Sequence, residues 1–162
     1  MTQDIAIKDA GNLGGLLDIE TDDFVTFIVD EQLLGIPVLQ VSDILKIENI
    51  APVPLAPAQV KGSINLRGRI VTVIDVRTCL GIPPKSDGSN DLSEQMGVTI
   101  ELGHDLFTLL VDQVGEVIGV SAEQREPVPQ TLDQNLREVA LNIYRLEDKL
   151  LIVLDPEKLI KV

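Results

Sequence analysis

A chain of 162 residues that is 44% hydrophobic, yet has four aromatic side chains only (Phe24, Phe27, Phe107 and Tyr144), carries enough Val, Ile and Leu for one globular unit or two very small fused ones. Its 26 acidic against 13 basic side chains leave a formal charge of −13, which repels a phosphate backbone, and there are few rings on which bases could stack; nucleic-acid binding is disfavoured. One histidine (His104) and one cysteine (Cys79) exclude a Cys/His zinc cluster, a disulfide framework and a redox pair.

In chain order, residues 1–23 read as a mobile acidic tail with a weak helical signal at 5–10. They hold one Lys and no continuous apolar run, which fits neither a signal peptide nor a basic membrane anchor. No stretch reaches the roughly 20 apolar residues of a spanning helix, so the expectation is a cytoplasmic protein without membrane insertion. From Phe24 onward, short aliphatic runs bounded by Gly, Pro, Asp or Asn predict strands at 24–29, 36–41, 70–76, 98–102, 106–111, 114–120 and 150–154. The run at 70–76 is apolar on both faces until its end. Helical periodicity is confined to 56–61 and 132–141, and residues 83–91 form a polar loop or linker. The class is mainly β.

The sequence also repeats itself. Residues 24–45 align without gaps to 97–118 at an offset of 73, matching Val25, Thr26, Leu33, Val38, Gln40 and Val41 to identical residues. Pro52-Val53-Pro54 then recurs as Pro127-Val128-Pro129, and the run ending in Asp75 recurs, at an offset of 80, as the run ending in Asp155. Three blocks in one order imply a duplicated unit, about 24–80 and about 97–156. Each copy alone buries too little surface, so the two are expected to share a core.

Residues that differ between the copies are where function is sought. Gly62-Ser63-Ile64-Asn65-Leu66-Arg67-Gly68 has a counterpart lacking both glycines and placing Glu147 opposite Arg67. Either this is an ordinary turn between a helix and a strand with a solvated arginine, or Arg67 offers its planar donors to a carboxylate. Asp43 lies among Val41, Ile44 and Leu45, either on a solvated face or as an acid at the rim of an aliphatic contact surface. Asp75 and Asp155 read as turn-forming groups, His104 as part of a hairpin turn and Cys79 as a small buried apolar residue. Asp112 and Glu116 form the one candidate catalytic pair, the basis of an alternative reading as a small β-barrel hydrolase or ligand binder; nothing nearby supplies a base, a metal-ligand set or a cofactor loop.

With those residues in view, the chain from Phe24 to about Ile160 resembles the CheW family of chemotaxis coupling proteins. The resemblance runs through Val41, Asp43 and Ile44, through Lys61-Gly62-Ser63-Ile64-Asn65-Leu66-Arg67-Gly68, and on to Asp75, Val111-Asp112-Gln113-Val114, Ala122-Glu123-Gln124, Pro127-Val128-Pro129 and the strand closing at Asp155. It implies two five-stranded SH3-like barrels around a shared core, with short helical turns. It implies a non-catalytic adaptor, without cofactor or metal, that bridges chemoreceptor cytoplasmic tips to the regulatory domain of a CheA histidine kinase. By the same resemblance Val41, Asp43, Gly62, Asn65, Arg67 and Gly68 lie on or support the partner contacts. Family members commonly have Glu at Asp43, Tyr or Phe at Leu34 and a polar residue at Pro37. Because Pro37 lacks a backbone donor, it is expected at a sheet edge.

Overall fold

The computed structural model describes residues 21–83 and 95–160, and the side chains from Asp22 onward. The expected helix at 5–10 and all of the predicted 83–91 loop except Pro83 lie outside the described residues. The strands are β1 (Thr21–Val29), β2 (Gln32–Pro37), β3 (Val41–Lys46), β4 (Val60–Leu66), β5 (Arg69–Asp75), β6 (Met96–Leu102), β7 (Asp105–Val111), β8 (Gln113–Ser121), β9 (Arg125–Glu126), β10 (Ala140–Arg145) and β11 (Leu150–Leu154). The described residues also hold three short α-helices, α1 (Val76–Cys79), α2 (Gln134–Val139) and α3 (Pro156–Leu159), and one-turn 3-10 helices at Val38–Gln40 and Ala122–Gln124.

These strands build two sheets, in the orders β9-β10-β11-β2-β1-β8 and β3-β6-β7-β5-β4. Each sheet mixes strands from both segments of the repeated sequence, because the chain changes sheet twice, at the one-turn helix Val38–Gln40 and at Asp112. The parallel contacts β11 with β2 and β5 with β7 join the segments within each sheet. The offset of 73 carries β1, β2 and β3 onto β6, β7 and β8, and the offset of 80 carries β5 and α1 onto β11 and α3.

Burial follows the two-sided strand pattern. Ile74 and Val76 enter a cluster between the sheets, with Phe27, Leu34, Ile36, Ile100, Leu109, Ile152 and Leu154. The residue before Ile74, Val73, turns to the outer side of its sheet, into a small cluster with Ile47 and Leu110. A larger outer cluster on the six-stranded sheet holds Phe24, Tyr144, Leu151 and Val153, the two rings lying 5.6 Å apart. Fully burying each Ile or Leu contributes about 2 kcal/mol, so the layer shared by the sheets dominates the cohesion of the fold. Asp75 and Asp155 cap α1 and α3, accepting from the backbone N–H of Arg77 and Glu157 at 3.1 Å.

Several expectations need correction. Residues 21–23, expected as the end of the tail, belong instead to β1, Asp22 and Asp23 pairing with Val120 and Gly119 of β8, and the rest of that expected tail lies outside the described residues. The run 36–41 is two strands and not one, because Pro37 offers no N–H and the chain turns through Val38–Gln40. Pro37 sits at the end of β2, an interior strand, and not at a sheet edge. No helix forms at 56–61; Leu55 takes φ 62° and β-branched Val60 opens strand β4. The helix expected at 132–141 is shorter, capped by Asp133 and giving way at Ala140 to β10. Apart from these corrections, the strands lie in a six- and a five-stranded sheet, neither closed by a continuous ladder among the described residues. The outer strands are nevertheless successive in the chain. Ala122–Gln124 joins β8 to β9, and after β3 the backbone of Ala51 exchanges two 2.8 Å hydrogen bonds with Ser63 of β4. No helix among the described residues is long and apolar enough to cross a membrane.

Candidate partner-binding site

The segment 62–68 is the second half of one hairpin strand and its turn, not a junction between helix and strand. β4 and β5 pair from Val60 opposite Ile74 to Leu66 opposite Arg69, so Arg67 and Gly68 alone make the turn. Both have positive φ, 53° and 85°, the type I′ form whose twist matches the flanking strands. The Asn65 side chain closes the turn by accepting from the Gly68 N–H at 2.9 Å. Gly68 meets the conformational demand at little cost, and a Cβ there would touch nothing within 4 Å. Arg67 has no such freedom. An L-residue with a branched-out side chain pays about 1–2 kcal/mol in this region, where asparagine is the usual occupant.

Gly62 answers a different need. A bulge between Val60 and Gly62 brings its backbone against the strand-like segment at Ala51. A Cβ on Gly62 would lie 2.3 Å from the Ala51 carbonyl oxygen and 2.5 Å from Ile50 Cγ2, and its φ is +150°. Gly62 therefore supports the hairpin from below and makes no outward contact itself.

On the opposite outer strand, β3, a bulge between Val41 and Asp43 resets the register against β6. Val41 is half-buried against the shared core, opposite Ile100. Asp43 Oδ2 lies 3.1 Å from Arg67 Nη2, while its Oδ1 accepts from the Ile44 N–H at 2.8 Å. Two residues singled out separately in the sequence are thus partners, linking the outer strands of the five-stranded sheet. The Asp43 side chain is 24% exposed and that of Arg67 78%, so this is a surface ion pair of about 0–1 kcal/mol. It orients the guanidinium and leaves most of it to solvent. Ile44, named in the sequence as part of the aliphatic surface around Asp43, is 41% exposed, and Ile70, opposite Asn65 and not marked there as a site residue, is 80% exposed. The strand position of Ile70 beside the 62–68 segment was the available signal.

The pair Asp112 and Glu116 is not assembled for catalysis. Arg77 donates to Asp112 through Nε at 3.0 Å and Nη2 at 2.6 Å, and the Asp30 N–H donates to the same carboxylate at 2.9 Å. The Glu116 carbonyl, not its carboxylate, is engaged by the Thr26 hydroxyl. The hydrogen bond to Asp112 raises the Arg77 pKa, against a smaller opposing effect of burial, so the arginine is permanently charged. Arg77 was overlooked as a site, although its position at offset 80 is Glu157 and so differs between the copies. Burial, helped by Asp75, pushes the Cys79 thiol up to about 11, leaving it protonated and unreactive at neutral pH. His104 is exposed in the β6–β7 turn. Among the described residues no group of three or more His, Cys, Asp or Glu is placed to hold a metal ion.

Comparison with known proteins gives a consistent picture. The family model described as CheW-like domain matches residues 23–162. The chain is 32% identical to a chemotaxis protein CheW of Treponema pallidum over 137 residues, covering 83% of this chain and 79% of that protein. It is 27% identical to a chemotaxis protein CheW of Thermotoga maritima, covering 85% and 86%. The crystal structure of the scaffolding protein TtCheW from Thermoanaerobacter tengcongensis superposes with a TM-score of 0.75 at 29% identity, covering 88% of this chain and 94% of that one.

Proposed function

The chain belongs to the CheW-like domain family, whose relatives above are chemotaxis proteins and, in one case, a scaffold, and from that premise we propose that it is a non-catalytic adaptor coupling chemoreceptor cytoplasmic tips to the regulatory domain of a CheA-type histidine kinase. In this reading it is a cytoplasmic protein recruited to membrane-bound receptor arrays, folded as two SH3-like barrel units with swapped strands. Residues Asp43, Asn65, Arg67 and Gly68 form one partner contact, with Val41 and Gly62 supporting it from within.

A single observation carries the site. An arginine is held in a left-handed turn position that asparagine or glycine would occupy more cheaply, and its ion pair with Asp43 returns too little stability to explain the choice. What the arrangement supplies is a guanidinium presented on a rigid hairpin beside exposed isoleucines, an arrangement suited to a carboxylate at the edge of an apolar contact. Coupling then requires that a receptor state bind the adaptor–kinase assembly differently from its alternative. The hydrolase reading has no comparable support, since both Asp112 oxygens already accept hydrogen bonds.

The test is binding of the purified chain to a CheA regulatory domain and, separately, to a receptor cytoplasmic fragment, with wild type and Arg67→Glu. The expected outcome is that wild type binds both and the variant loses one, while Arg67→Ala costs about 2–4 kcal/mol at that contact. A folded protein that binds neither partner, or a variant that binds both unchanged, would overturn the assignment.

A further inference from the structure

We propose that the groove beside the first sheet crossing is covered by this chain's own N-terminal segment, through Leu17 and Ile19. The groove, of about 460 Å³, lies where the start of β1, the Val38–Gln40 turn and β10 meet, with Phe24, Val38, Leu39 and Leu141 among its walls. Leu39 is 96% exposed and Leu141 50%, so two leucines stand in water at one concave apolar surface.

The repeat explains why this junction is open. The offset of 73 sets Leu39 opposite Asp112, and the offset of 80 sets Glu157 opposite Arg77. At the second crossing the junction is filled by an ion pair whose side chains are each 14% exposed. At the first, a leucine and a glutamate occupy those positions and no such pair can form. The surface left there is mainly apolar, edged by Asp22, Asp23 and Asn142, and an apolar cover removes its leucines from water.

Chain geometry selects the occupant. β1 begins at Thr21, and Asp22, Asp23 and Phe24 line the groove, so the preceding segment starts at its rim. Leu17 is five residues from Asp22, at most about 18 Å of chain at 3.3–3.6 Å per residue. In extended form the run Leu17-Asp18-Ile19-Glu20 sends its apolar side chains to one side and its carboxylates to the other, away from Asp22 and Asp23. A tether this short gives an effective concentration of the order of millimolar, so a contact too weak to hold a free peptide is still filled. A second copy of the chain lacks that advantage. The segment then excludes any partner that needs Leu39, lowering its apparent affinity about twofold where half the molecules are covered.

The test uses the full chain with labelled leucine methyl groups. A nitroxide is attached at Ala10→Cys in a Cys79→Ala background. The expected result is broadening of the Leu39 and Leu141 methyl signals, with those of Leu109 and Leu154 in the shared core unaffected, and loss of that broadening when Leu17 and Ile19 are replaced by Ser. Absence of broadening at Leu39 and Leu141 overturns the proposal. So does broadening that survives the serine replacements. Mixing spin-labelled, isotopically silent chain with methyl-labelled chain identifies the remaining alternative: broadening in that mixture assigns the groove to a second copy and also overturns it.

Discussion

Removing the Arg77–Asp112 pair tests whether the second sheet crossing is pinned electrostatically. The two side chains are 14% exposed, and Asp112 accepts from Nε at 3.0 Å, Nη2 at 2.6 Å and the Asp30 N–H at 2.9 Å. Arg77→Met removes both guanidinium donors from the carboxylate in a largely dry site. Breaking a buried pair from one side costs about 3–5 kcal/mol, and the residual solvent contact here places the expected loss near 3 kcal/mol. Asp112→Asn retains an acceptor for the Asp30 N–H and leaves Arg77 near Asp30 Oδ1 at 3.9 Å and the Pro83 carbonyl at 2.8 Å. Its cost is therefore smaller, about 1.5–2 kcal/mol. The double variant should cost less than the sum, with a coupling energy of about 1–3 kcal/mol. The assay is urea unfolding followed by far-ultraviolet circular dichroism, the chain having no Trp. Each kcal/mol corresponds to about 2–4 °C in Tm for a protein of this size. The losses should persist in 1 M salt, where the Debye length of about 3 Å abolishes exposed pairs and spares buried ones. Additivity within about 0.5 kcal/mol, or losses that vanish in salt, would refute the reasoning.

Other outcomes follow from the hairpin and the cysteine. Gly62→Ala should cost about 2–4 kcal/mol through its clash with the Ala51 carbonyl and its positive φ, whereas Gly68→Ala, with open space around it, should cost about 1 kcal/mol; similar losses in urea titrations would contradict the close-approach argument. Arg67→Asn should raise stability by up to about 1 kcal/mol by suiting the type I′ turn, while weakening one partner contact; a destabilised variant with intact binding would reverse the assignment. The Cys79 thiol is raised from an ordinary 9.0 to about 11, so its stabilising contribution is present in full below pH 9 and is lost as pH rises toward 11; Cys79→Ala should flatten that part of the stability profile, and an unchanged slope would argue against burial of the thiol.

Much of the organisation was legible without coordinates, because it rests on local pattern and internal comparison. The β-branched runs at 24–29, 98–102 and 150–154 announce strands through their bounded aliphatic composition, and each falls within one. Asp75 and Asp155 were readable as turn formers since an aspartate caps a helix through its own neighbouring N–H groups. The 62–68 segment stood out because the copies differ there, and Asp43 because it is one acid set among Val41, Ile44 and Leu45, both of which are local readings. The strand at β4 escaped notice because Pro54 and Pro57 mimic a helix start and Gly62 interrupts its alternation for a reason lying across the sheet, at Ala51.

Composition, periodicity and repetition by themselves determined a mainly β chain whose sequence repeats itself, with its unusual residues at 43 and 62–68. Only the tertiary structure decided that strands of the two segments interleave in each sheet, that Asp43 and Arg67 meet, and that Asp112 belongs to Arg77 and not to Glu116. The reason is range. Strand propensity and capping act over a few residues and are written in sequence neighbours, whereas the Asp112–Arg77 pair spans 35 positions and exists because parallel pairing of β5 with β7 brings the ends of those strands side by side.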